Sequence, residues 1–94
     1  MIRHIVLYQF EKIPKKVISL FMEKYRACEN LVNVKIEGGE NVSSKVELSG
    51  GFNFGLLMTF GGSDDLEKYN TLKSHMDAKA IMAPYLKNTL VFDI

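Results

Sequence analysis

Tryptophan is absent and cysteine occurs once in 94 residues. A lone cysteine cannot close an internal disulfide, so no covalent staple is expected, and a reducing, cytoplasmic setting is. No apolar run approaches the length of a membrane-spanning helix, so no membrane partner is expected. The N-terminus lacks a basic region followed by a long apolar stretch, and no signal peptide is read there. An excess of either charge is missing too: 12 Lys+Arg stand against 11 Asp+Glu, a formal net charge of +1. That balance argues against general nucleic-acid binding, which needs a basic excess to displace counterions. The GxGxxG and P-loop signatures are absent, as are CxxC and HExxH. Two histidines and one cysteine do not make a zinc site by spacing, so neither a metal nor another cofactor is expected.

What is present is a chain with 47% hydrophobic residues, enough for one domain over residues 1–94. A chain of this length exposes roughly 5,500 Å² folded against about 15,500 Å² unfolded, so it buries about 64% of its surface. That suffices narrowly for a core, and a partner subunit would help. Residues 2–10 alternate, with Ile2, His4, Val6, Tyr8 and Phe10 on one face and Arg3, Ile5, Leu7 and Gln9 on the other. Both faces carry apolar residues, which predicts that the second face is also covered, by another subunit for instance.

Pro14 suits the first turn of a helix, and Val17, Phe21, Tyr25 and Cys28 recur at helical spacing, which predicts a helix over about 14–29. Residues 32–37 read as a second strand, ended or bulged by Gly38-Gly39. Residues 41–51 are polar and read as a loop, which leads to a third strand over 52–60. Ser63 reads as an N-cap, with Asp64 and Asp65 in the first turn of a second helical region. A break is predicted near 73–75, where Ser74 re-caps the chain, and Pro84 lies close to the helical end. Residues 90–94 alternate as a fourth strand. The order β-α-β-β-α-β is that of an α+β, ferredoxin-like domain: a four-stranded antiparallel sheet with its helices on one face.

Few residues suggest chemistry. His4 sits among apolar neighbours and needs a hydrogen-bond partner if buried. His75 follows the helix break, and Tyr25 and Tyr69 fit helical core stripes. The helical phase of Cys28 puts it in the core, as a packing residue and not a nucleophile. The paired glycines read as turns, and Asp64-Asp65 as helix-start charge.

Several segments in order resemble the stress-responsive dimeric α/β-barrel (Dabb) domain family. Met1 to Phe10 is similar to that family's first strand, with His4 at its characteristic histidine. Gly39-Glu40-Asn41-Val42-Ser43 resembles its G-x-N-x-S segment. Phe60 through Tyr69 resembles its F-x-S-x-x-x-L-x-x-Y region with one extra glycine, and Leu90 to Ile94 its closing V-x-D-[FY] strand. In the family's H-P-x-H segment, His75 takes the second histidine position, while Leu72 and Lys73 replace the first His-Pro pair. A further histidine of the family's polyketide cyclases falls at Phe54.

The resemblance implies a homodimer joined through the open sheet faces, which accounts for strands that are apolar on both sides. It also implies a site made of His4, His75 and Tyr69, with Tyr25. Three readings follow. In the first, a pocket lined by His4, Tyr8, Tyr25, Phe54, Tyr69, Leu72 and His75 binds a small, largely apolar or aromatic molecule. In the second, the protein is a cofactor-independent acid–base enzyme, cyclase-like or monooxygenase-like. There His75 is the general base, Tyr69 its orienting partner or proton donor, and His4 hydrogen-bonds a substrate oxygen. In the third, it is a stress-related structural protein without a catalytic site.

Overall fold

The alternation of residues 2–10 is realised as strand β1 (Ile2–Phe10), the spine of the sheet. A computed structural model of the protein describes residues 1–44 and 46–94, with the backbone alone for Val46. The remaining strands are β2 (Val34–Glu40), β3 (Phe54–Phe60) and β4 (Leu86–Asp93), in the spatial order β2-β3-β1-β4. Every pairing is antiparallel, with Val6 opposite both Leu56 and Val91. The helices are α1 (Lys15–Ala27), the short α2 (Val46–Ser49), α3 (Ser63–Asn70) and α4 (Lys73–Met82). This is the ferredoxin-like α+β architecture.

Cross-strand partners share a face, so the register sorts the sheet into two surfaces. The inner face carries Val6, Tyr8 and Phe10 beside Phe54, Leu56, Met58 and Phe60, all buried. Helix α1 lays Phe21, Met22 and Tyr25 on it, and α4 adds Ala78 and Met82. Phe21 is the hub: its ring lies 5.4 to 5.6 Å from those of Phe54 and Phe10. Burying a side chain of this kind stabilises the fold by about 1.5–3 kcal/mol.

The outer face is apolar as well. Ile5 stands opposite Leu57 and Phe92, and Leu7 opposite Leu90. The short α2 approaches this face at Leu7, with Leu48 and Ser49 lining the same hollow, while Leu90, Phe92 and Ile94 are 49%, 60% and 67% exposed. The accessible surface of one copy, 6055 Å², exceeds the roughly 5,500 Å² expected for a chain of this size.

The structure moves several boundaries. Pro14 is the extended N-cap of α1, and the helix starts at Lys15. Strand β2 begins at Val34 and runs through Gly38 and Gly39, which pair with Leu56 and Gly55. Gly38 is needed there for close packing, because a Cβ would strike the Leu56 side chain and come within 3.0 Å of the Gly55 carbonyl. The predicted loop over 41–51 holds helix α2 and includes Lys45, which lies outside the described residues. Gly50 and Gly51 do form a turn, with φ of 62° and 86°.

Gly62, and not Ser63, is the N-cap of α3. The break between α3 and α4 falls at Thr71-Leu72, before the predicted 73–75. Leu72 takes the extended N-cap conformation, and the Ser74 hydroxyl meets Cys28 Sγ at 3.2 Å without capping the helix. Strand β4 starts at Leu86, four residues before the alternation becomes visible. Its polar residues Asn88 and Thr89 pair with Gln9 and Tyr8 of β1, with Lys87 at a bulge between Asn88 and Leu86, and backbone pairing demands no apolar pattern from an edge strand.

Candidate functional site

Strand β1 sends His4, Val6 and Tyr8 toward the helices, and the α3–α4 break swings Tyr69 and His75 over them. Between sheet and helices lies an open cavity of about 590 Å³. His4, Tyr8, Tyr25, Tyr69 and His75 all line it. The structure therefore assembles five of the seven residues proposed from the sequence. It places the other two elsewhere. Phe54 is buried between Phe10 and Phe21 and borders different hollows. Leu72 packs at the edge of the core as the cap of α4 and is absent from the cavity wall.

Tyr69 joins the two histidines. Its ring stacks on His75, with centroids 4.2 Å apart and planes inclined by 21°. It meets His4 edge-on at 6.3 Å. His75 is also tilted against Tyr25 at 6.1 Å. Burial holds the His75 imidazole below its ordinary value, and the nearby Lys79 ammonium adds to that. The Asn70 and Tyr69 carbonyls favour its charged form but do not outweigh the loss of water. The ring is therefore neutral near pH 7, the form that can accept a proton. Among the described residues its buried Nδ1 has no hydrogen-bond partner.

His4 is anchored from the other side. Its Nδ1 pairs with Asp93 Oδ1 at 2.5 Å, which leaves Nε2 for the cavity. A carboxylate on one ring nitrogen sets the tautomer and orientation of the other. Sequence reasoning passed over Asp93 as a functional residue. Its signal was the quoted closing strand together with the register that sets His4 opposite Asp93. Lys79 was missed too, although it lies one helical turn beyond His75.

Three phenols gather at the inner end. The Tyr8 and Tyr25 hydroxyls are 2.9 Å apart. Burial raises the pKa of Tyr8, Tyr25 and Tyr69, so all three remain protonated. The Tyr8–Tyr25 bond consumes one of two phenolic protons, and the second points to Tyr69 or into the cavity. Burial also pushes the Cys28 thiol up, as suits an inert core cysteine. Among the described residues, no group of three His, Cys, Asp or Glu side chains is placed to hold a metal ion, and no helix is long and apolar enough to cross a membrane.

Fold and site together define a ferredoxin-like α+β domain with an amphipathic cavity between sheet and helices. The chain belongs to the stress responsive A/B barrel domain (Dabb) family, whose model matches residues 2–94. No curated protein matches it. Among solved structures, a protein of Arabidopsis thaliana is 24% identical, with a TM-score of 0.81 over 100% of this chain and 93% of that one. A dimeric ferredoxin-like protein of unknown function from Thermobifida fusca is 19% identical, with a TM-score of 0.80 over 99% and 88%. Hydroxynitrile lyase from Passiflora edulis is 18% identical, with a TM-score of 0.80 over 99% and 90%.

Proposed function

We propose that the protein is a homodimer, joined through its open sheet face, that binds a small, largely apolar or aromatic molecule in the cavity beneath α4. The observation that carries this reading is the cavity itself. Its volume of about 590 Å³ lies in the range typical of small-molecule sites, and a mostly apolar wall converges on a few polar groups. The exposed Leu90, Phe92 and Ile94 support the dimer, as does the dimeric state of the Thermobifida fusca protein. The free Cys28 thiol supports a cytoplasmic setting.

One observation favours catalysis over storage. A half-buried, neutral histidine with a neutral phenol stacked on it is suited to acid–base chemistry. In that reading His75 is the general base, and Tyr69 orients it or donates a proton. His4, held by Asp93, offers Nε2 to a substrate carbonyl or hydroxyl. Binding of this kind uses the chain's own side chains alone.

Native mass spectrometry against the denatured mass tests the first reading. A dimer carrying extra mass supports it and supplies the ligand for identification. A stable monomer overturns the dimer. His75→Ala tests the second: turnover of the identified compound should be lost with the fold intact, and unchanged turnover removes His75 from the mechanism.

A further inference from the structure

The cavity has one charged side chain that the acid–base reading does not use. Lys79 lies one turn after His75 on α4, so both project from the same helical face, and both line the cavity. Lys79 is exposed whereas His75 is half-buried, which puts the ammonium at the rim and the imidazole inside. Two lysines have carboxylate partners, Lys73 with Asp77 at 3.0 Å and Lys35 with Glu37 at 3.6 Å; what sets Lys79 apart from the other lysines is its place in the cavity wall. Among the described residues no carboxylate pairs with Lys79. Asp93, the carboxylate beside the cavity, is already taken by His4.

The surroundings of Lys79 are apolar. Met76 and Val91, 55% and 54% exposed, line the same cavity, as do Ala80 on α4 and Ala83 just past its C-terminal end. The other titratable groups of the wall are His4, which is held by Asp93, and His75 with the phenols of Tyr8, Tyr25 and Tyr69. His75 and the phenols are neutral near pH 7, and the phenols are hydrogen-bond donors. Among the described residues the wall itself carries no carboxylate, so its one lysine favours an anionic ligand over a cationic one.

We propose that the cavity takes an organic anion, a flat apolar body that carries a carboxylate placed to meet Lys79 at the rim. This deepens the ligand-binding reading and rests on it. The apolar body lies against Val6, Met82 and Val91, and the carboxylate stays at the rim, where part of its hydration is kept.

Two isosteric probes test the inference: 2-naphthoate and 2-naphthamide, titrated into the full-length protein. Binding is followed calorimetrically and located through the His75 ring resonance. The anion is expected to bind tighter by up to about fivefold, the effect of one partly exposed ion pair, and added salt should shrink the gap. Lys79→Met should abolish the preference and leave the amide affinity unchanged, and Lys79→Arg should keep it. Because Lys79 is exposed, these substitutions leave the core intact. Equal affinities in the wild type, or a preference that survives Lys79→Met, overturn the anion site while the cavity reading stands. If neither probe moves the His75 resonance, the cavity reading itself fails, and the anion site with it.

Discussion

The Tyr69 ring lies flat on the His75 imidazole and edge-on to His4, so one side chain of α3 holds together two histidines that are 71 positions apart in the chain. Phe60 backs the same ring at 5.2 Å. The site is thus an extension of the core, with its polar atoms turned toward the cavity.

Stability should follow the protonation of His75. Its folded pKa is depressed by burial from the ordinary 6.5. Between 6.5 and the lower folded value, the unfolded chain binds more protons than the folded one. The contribution is therefore fully present above pH 6.5 and lost as the pH falls through the folded value. Denaturation midpoints measured across this window should show that loss, and His75→Asn should flatten it. An unchanged slope in the variant would assign the titration to another group.

The buried phenol pair allows a double-mutant cycle. Tyr8→Phe leaves the Tyr25 hydroxyl without its 2.9 Å partner and should cost about 1–2 kcal/mol, as should Tyr25→Phe. The double variant should cost clearly less than the sum, because neither hydroxyl is then stranded. Strict additivity in urea denaturation would show that the pair contributes nothing.

Adjacent glycines of β2 should respond oppositely. Gly38→Ala forces a Cβ into Leu56, which is buried and cannot yield, and should cost about 1–3 kcal/mol. Gly39→Ala meets nothing within 4 Å, and the lost backbone freedom of the unfolded chain should leave the subunit fold unharmed or stabilised by about 0.5 kcal/mol. Chemical denaturation of both variants decides the comparison.

The outer face should govern assembly. Phe92→Lys puts a charge where the side chain is 60% exposed in a single copy, so the fold should persist while self-association weakens by tenfold or more (about 1.4 kcal/mol or more). Sedimentation equilibrium measures this. An unaltered dimer would place the interface away from the sheet.

Much of this molecule follows from short-range pattern. The alternation over 2–10 and the helical recurrence of Val17, Phe21 and Tyr25 depend only on which residues face the core, and a period of two or 3.6 is visible in the sequence itself. The same alternation, apolar on both sides of β1, predicted a cover for the second face, by another subunit for instance; in a single copy that face is open. Element order and the inner core were within reach of such patterns, whereas the grouping of His4 with the helix-borne His75 and Tyr69 came from the family resemblance and not from periodicity.

What lay out of reach were contacts between segments distant in the chain. Asp93 meets His4 only because β4 pairs with β1 in one register, and Lys79 borders the cavity only because α4 crosses the sheet where it does. Phe54 shares its strand face with the other core residues, yet it points into the Phe10–Phe21 cluster and away from the cavity. Periodicity assigns a side chain to a face but not to a place along it. That place is decided when helices settle into the volume left by the side chains beneath them, a long-range packing constraint that no local spacing encodes.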